Sequence, residues 1–137
     1  MEFYANAQKF YTVLSKFLMS DKNVPKKWRS VVTYPILNLA DSFFDMLEDA
    51  NSIYPNSENL VEERKARQLD CITHCEKIYG RLQRTMLTVW WDTLHRDEAD
   101  PERVRLERHL TEIGELLDRE VTLLKGWRRS TKLLQRK

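Results

Sequence analysis

Apolar residues recur every three or four positions along most of this chain, which is the spacing of one face of an α-helix. The first stripe predicts a helix over about residues 2–20 and consists of Phe3, Ala7, Phe10, Leu14 and Phe17. A second stripe predicts a helix over about 26–52 and consists of Val32, Ile36, Leu39, Phe43, Met46 and Ala50. Because Pro35 lies inside the second pattern, the regular helix is expected to begin or bend there.

Two further stripes follow in the second half of the chain. One predicts a helix over about 57–93 from Leu69, Ile72, Tyr79, Leu82, Met86 and Val89. The other predicts a helix over about 101–134 from Leu106, Leu110, Ile113, Leu117, Val121 and Leu124, with Asp100 as N-cap and Pro101 as first helical residue. The third helix would overhang the first, so another chain, or a bend near Gly80, is expected to cover it.

Short polar connections join the four predicted helices. The sequence has 3 Gly and 4 Pro among 137 residues, so it contains few of the turn residues that sheets need. Four amphipathic helices without internal repeats predict an all-α, antiparallel up-and-down four-helix bundle, with residues 1–137 as one domain.

The sequence favours an intracellular protein. No apolar run approaches the ~20 residues of a membrane span, and MEFYANAQKF lacks the basic and then apolar layout of a signal peptide. Cys71 and Cys75 lie four positions apart in one predicted helix, where two reduced thiols are simpler than an awkward disulfide. We therefore expect a cytoplasmic protein with no membrane partner.

Three possible metal ligands, Cys71, His74 and Cys75, lie on about one helical turn, and a fourth would have to come from His95 or His109. Zinc sites usually combine ligand pairs from different elements, so core thiols and a surface histidine are the favoured interpretation. No Glu-x-x-His motif occurs in the sequence, which excludes a di-iron bundle. We expect no metal and no cofactor.

The net charge is only +2, but the charged residues are distributed unevenly along the chain. Residues 30–63 hold seven acids and no Lys or Arg, whereas residues 119–137 hold seven bases and one acid. Separated blocks of opposite sign indicate electrostatic binding, either to an anionic ligand or between subunits.

Two basic stripes are candidate nucleic-acid or protein contacts. Lys77, Arg81 and Arg84 fall at i, i+4 and i+7 on the third helix, and the fourth carries Arg128, Arg129 and Lys132. Such stripes are most often solvated faces, but cations at helical spacing can also meet successive phosphates. Nearby tryptophans, Trp90, Trp91 and Trp127, could stack on bases or pack against neighbouring chains, although core packing is the more frequent use of tryptophan.

Catalytic patterns are weak. The sequence has no glycine-rich phosphate loop and no local signature of a Ser/His/Asp triad. Arg103 and His109 have the spacing found in helical RNases of the HEPN superfamily, but Arg67 and His74 show how easily an arginine-rich chain generates it. We expect a non-enzyme, with a HEPN-like RNase using Arg103 and His109 as one alternative and a helical adaptor without nucleic-acid binding as another.

Gly126 lies inside the fourth predicted helix, where glycine costs roughly 1 kcal/mol relative to alanine. A missing side chain lets another helix approach closely, and the neighbouring Trp127 would pack at the same place. Gly126, Trp127 and Trp90 are therefore predicted to form subunit or bundle contacts.

Three short stretches resemble one known family. They are Val24-Pro25-Lys26-Lys27-Trp28-Arg29, Leu47-Glu48-Asp49-Ala50, and Glu112-Ile113-Gly114 followed by Gly126-Trp127-Arg128-Arg129-Ser130. Together they resemble the four-helix bundle proteins that include the accessory variability determinant (Avd) of diversity-generating retroelements, whose relatives are the 23S rRNA intervening-sequence proteins. The likeness spans about residues 3–131 and is greater to Avd.

The resemblance implies a homopentameric ring of bundles without catalytic activity, which binds the retroelement's reverse transcriptase and its template RNA to support mutagenic cDNA synthesis. Basic surface residues make those contacts in the family, and the matching positions are Lys77, Arg81, Arg84, Arg128, Arg129 and Lys132. Family members are often strongly basic, whereas this chain carries +2 and an acidic second helix. That departure favours a protein partner over broad nucleic-acid binding.

Overall fold

The computed structural model describes residues 1–134, which form helices joined by short connections. The helices are α1 (Glu2–Met19), α2 (Thr33–Ser52), α3 (Glu58–Met86), α4 (Trp91–Leu94) and α5 (Pro101–Ser130), with a 3₁₀ turn at Lys26–Trp28. No strand occurs in this part of the chain, so the predicted all-α class is confirmed.

The four long helices pack in a closed square, in which α1 contacts α2 and α5, and α3 contacts the same two helices. Phe3 stacks on Trp127 at one end of the α1–α5 pair, and Phe17 lies beside His109 at the other, so these helices run antiparallel. Each helix encloses one side of a common apolar core.

Within the second predicted helix, 26–52, regular helix begins near Pro35, as the sequence indicated. Regular helix begins at Thr33 and leaves Lys26–Trp28 as a separate 3₁₀ turn. Pro35 accounts for the boundary, because proline is accepted in a first helical turn but would clash with the carbonyl of a preceding turn. Thr33 then fixes the start of α2 by donating its hydroxyl to the Leu18 carbonyl at 2.8 Å.

The third predicted helix, 57–93, breaks in two, and the break is not at Gly80. α3 ends at Met86, and residues 87–90 form a turn before the short α4. Trp90 explains this break, since its indole is 2% exposed and donates Nε1–H to the Asn23 carbonyl at 2.8 Å. The turn brings Trp90 into the core beside Phe17.

The fourth predicted helix, 101–134, ends at Ser130. Thr131 is extended and buried, and its hydroxyl lies 2.8 Å from Nε2 and 3.1 Å from Oε1 of the buried Gln68. The Leu134 N–H then donates to the Pro55 carbonyl at 2.9 Å. Residues 131–134 therefore cross the α2–α3 connection instead of extending α5.

The predicted core stripe of α3 is wrong in part. Leu69 and Tyr79 are exposed, and the core face of α3 consists of Gln68, Cys71, Ile72, Cys75, Ile78, Leu82 and Thr85. On α5 the buried face also includes the polar Glu120, while its neighbour Val121 is half-buried and packs against the core. The α1 stripe is confirmed at every position, because all five of its residues are buried.

None of the helices within residues 1–134 is long and apolar enough to cross a membrane.

Candidate nucleic-acid interface

Lys77, Arg81 and Arg84 form one exposed group on α3, which we call the α3 basic cluster. The helical rise separates successive members by ~6 and ~4.5 Å along the axis. The three side chains line a surface cavity of about 360 Å³, which also includes Glu76 in its lining and extends to Leu39 of α2. None of them makes an ion pair within the described chain, so their charge is available to an anion.

The second basic group lies at the end of α5, and its members differ in how far they are exposed to solvent. Arg128 is half-buried and donates Nε–H to the Lys65 carbonyl at 3.0 Å, which holds the end of α5 against α3. Arg129 is exposed on the last turn of α5, and Lys132 is exposed beyond the helix. Arg128 is therefore part of the bundle's packing, whereas Arg129 and Lys132 face solvent.

The two basic groups do not form one surface. Arg128 contacts α3 at Lys65, twelve positions before Lys77, which corresponds to ~18 Å along the helix. The α3 basic cluster also faces α2, whereas Arg128 approaches from α5. The six predicted residues thus belong to two separate regions.

Trp127 packs within the bundle. Its ring stacks on Phe3 with centroids 4.3 Å apart, and the Arg64 guanidinium lies 5.2 Å from the ring centroid. Arg64 also donates Nη1–H to the Ile53 carbonyl at 3.1 Å, and burial lowers its pKa. The ring is therefore engaged by the chain itself, as is the buried Trp90.

Trp91 is the tryptophan that faces solvent. It is 45% exposed, and its ring stacks on His95 with centroids 3.7 Å apart. The exposed Leu87 lies four positions before it, in the turn that joins α3 to α4. An aromatic contact to a base or a partner is therefore better placed at Trp91 than at Trp127 or Trp90.

No helix of the described protomer approaches Gly126 closely. A Cβ added there would meet only Nη2 of Arg129, at 3.9 Å, which is an ordinary van der Waals distance. Packing within the bundle therefore does not explain the glycine. A subunit contact at Gly126 stays a prediction.

The RNase alternative receives little geometric support. Arg103 donates Nε–H to Glu107 at 2.6 Å and a second N–H to the Arg96 carbonyl, and the Glu107 hydrogen bond raises its pKa. His109 is half-buried with its ring 5.6 Å from that of Phe17. Six positions on a helix place the two side chains ~120° apart around the axis, so they do not face one phosphate together.

The cysteine pair is buried in the core. Burial raises the pKa of the Cys71 thiol to about 12 and that of Cys75 still further, which keeps both protonated. His74 is bonded through Nε2 to the Leu39 carbonyl at 2.7 Å. No group of three or more His, Cys, Asp or Glu residues that could hold a metal ion occurs within residues 1–134.

Glu120 is a buried polar group that the sequence pattern did not identify. The carboxyl group is 1% exposed; Asn6 donates Nδ2–H to Oε1 at 3.1 Å, and Oε2 has no partner in the described chain. Burial raises its pKa to about 7. The spacing in the sequence could have identified this residue as buried, because Glu120 lies seven positions after Ile113 and four before Leu124, on the apolar face of the helix.

No protein-family model, curated protein or solved structure matches the chain. Among the residues predicted to bind an anion, the α3 basic cluster is the group whose three members are all exposed and line one cavity.

Proposed function

We propose that this chain is a non-catalytic accessory protein of a diversity-generating retroelement. It acts as an oligomeric, cytoplasmic scaffold, a homopentamer, that binds the reverse transcriptase and its template RNA to support mutagenic cDNA synthesis. The resemblance of residues 24–29, 112–114 and 126–130 to Avd proteins supports the proposal, as does the antiparallel helical bundle.

The geometry of the α3 basic cluster is the observation that best supports RNA binding. Its three cations are exposed, have no ion-pair partner within residues 1–134 and line one open cavity, in which Glu76 is the single acidic residue. Arginine guanidinium groups can donate two parallel hydrogen bonds to one phosphate. Arg81 and Arg84 therefore provide phosphate recognition, and Lys77 adds a third positive charge on the same face.

RNA affinity measured across a salt series tests this role. We expect log affinity to fall linearly with log salt, and Arg81→Ala with Arg84→Ala to reduce the slope by about 2, one for each lost phosphate contact. Arg67→Ala with Arg108→Ala is a matched control, because both are exposed arginines outside the cluster. Affinity that is absent or independent of salt would exclude RNA binding and leave the protein-partner role.

Assembly is supported by the exposure of the acidic block and of two cations, Arg129 and Lys132, in the described part of the basic block. The acids of α2 and early α3 lie on the surface, as do Arg129 and Lys132. A head-to-tail contact between an acidic block and a basic end closes into a ring when the rotation between subunits permits. Light scattering should find an oligomer at low salt that weakens as salt rises, and a monomer at every concentration would contradict the scaffold.

Catalysis and partner identity are tested separately. Purified protein should leave RNA intact, and cleavage that His109→Ala abolishes would establish the RNase alternative. A reverse-transcriptase reading frame beside this one would support the retroelement assignment. Co-purification of that polymerase with the chain is the direct test, and no association in the presence of RNA would contradict the assignment.

A further inference from the structure

A groove separates α3 from α5 on one side of the bundle. Its larger part is a cavity of about 450 Å³ whose apolar lining consists of Tyr79, Met86, Leu94 and Leu110. A smaller cavity of about 180 Å³ shares Tyr79 with it and continues to Val121. We call this the α3–α5 groove; from Glu107 to Val121 it follows α5 for ~21 Å, or about four helical turns.

The apolar lining of the groove is incompletely buried. Tyr79 is 44% exposed, and Met86, Leu94, Leu110 and Val121 are half-buried. Tyrosine and methionine are suited to binding surfaces, since tyrosine combines an apolar ring with a polar end and methionine adapts its shape. The groove therefore provides apolar area that a second element can bury.

Gly114 lies in the middle of this lining. A Cβ added to it would meet no atom within 4 Å, so the fold of the protomer does not require glycine there. Glycine in a helix interior nevertheless costs roughly 1 kcal/mol relative to alanine. An element seated in the groove would explain the residue, because the missing side chain permits close approach to α5.

The charged side chains that line the groove all carry the same sign. They are Glu76, Glu107, Glu115 and Asp118, and neither cavity is lined by a lysine or an arginine. Glu107 is paired with Arg103, whereas the other three make no ion pair in the described part of the chain. The rim is therefore acidic, which disfavours RNA and favours a cationic partner.

We infer that the α3–α5 groove binds a basic amphipathic helix of a protein partner. The apolar face of that helix contacts Tyr79, Met86 and Leu110, its backbone approaches Gly114, and its Lys and Arg residues pair with Glu115 and Asp118. Helices of about four turns bind apolar grooves in this way through residues at i, i+3, i+4 and i+7. The inference does not depend on RNA binding by the α3 basic cluster.

A synthetic peptide is the probe. It is a fluorescein-labelled 18-residue helix of leucine and lysine, with leucines at helical spacing, and its matched counterpart has glutamate in place of each lysine. Fluorescence anisotropy at physiological salt should detect binding of the basic peptide and none of the acidic one. Equal affinity for the two peptides would overturn the inference.

Variants of the protein locate the binding. Gly114→Leu, which fills the groove, and the pair Glu115→Lys with Asp118→Lys should each weaken binding of the basic peptide at least 10-fold. Asp97→Lys with Glu98→Lys makes the same charge change at exposed positions outside the groove and outside the acidic block, and should leave binding within about 2-fold. Equal weakening by this control pair would identify general charge attraction and overturn the inference.

Light scattering distinguishes a second copy of this chain from a partner helix. Loss of self-association in Gly114→Leu, without peptide binding by the unsubstituted protein, would place another protomer in the groove and overturn the inference. Circular dichroism confirms that each variant is folded. If Gly114→Leu does not fold, the comparison between the groove charge pair and the control charge pair tests the inference on its own.

Discussion

Asn6 and Glu120 join α1 to α5 through a buried hydrogen bond of 3.1 Å from Nδ2 to Oε1. The same Asn6 amide also donates to the Leu116 carbonyl at 2.9 Å, which fixes its orientation. Burial favours the protonated form of this carboxyl group, because Oε2 has no partner in the described chain, while the hydrogen bond from Asn6 favours the ionised form.

Stability should therefore depend on pH through Glu120. Its pKa is about 7 in the folded chain against an ordinary value of 4.5, so the folded state binds more protons between those values. This contribution to stability is complete below the lower value and is lost as pH rises through the upper one. Over that range the loss is on the order of 2–3 kcal/mol.

Glu120→Gln isolates the effect, since glutamine keeps the acceptor for Asn6 and does not titrate. Urea unfolding at pH 5 and pH 8 should show a smaller loss of stability in the variant than in the unsubstituted protein. Parallel pH profiles for the two proteins would show that Glu120 does not titrate in this range.

Trp90→Phe should destabilise the bundle by roughly 2 kcal/mol, because it leaves the Asn23 carbonyl without its donor and opens space beside Phe17. Trp91→Phe is the matched control and should change stability by no more than ~0.5 kcal/mol, since Trp91 is exposed. Denaturant unfolding measures both. Similar losses would mean that the turn at residues 87–90 does not depend on the buried indole.

Gly126→Ala should stabilise the protomer by about 1 kcal/mol, because the added Cβ meets no close neighbour. Should Gly126 also contact another subunit, the substitution will weaken assembly at the same time. Unfolding at low protein concentration and light scattering at high concentration measure the two effects. A stabilised protein with unchanged assembly would exclude the subunit contact at this glycine.

The sequence predicted the helices well where apolar residues alone form the buried face. In α1 the residues from Phe3 to Phe17 follow one stripe, and each of them is buried. In α3 and α5 the buried face includes Gln68 and Glu120, which contact Thr131 just beyond the end of α5 and Asn6 of α1. A search for apolar residues at helical spacing therefore placed Leu69 and Val121 in the core instead of Gln68 and Glu120. The polar partners that stabilise Gln68 and Glu120 are distant in sequence and become neighbours only in the folded chain.

The candidate site was predictable to a similar degree. Helical spacing correctly placed Lys77, Arg81 and Arg84 on one exposed side of α3. It gave no indication that Arg128 is bonded to the Lys65 carbonyl or that the two basic groups lie apart. Those facts depend on how α3 and α5 align, which the chain's own periodicity does not encode.

The contact between Thr131 and Gln68 affects how this protein should be shortened for experiments. The end of α5 at Ser130 looks like a natural place to cut the chain. Cutting there would remove the hydroxyl that lies 2.8 Å from the Gln68 amide and would leave that amide buried without a partner. A fragment intended to retain the native core should therefore keep Thr131.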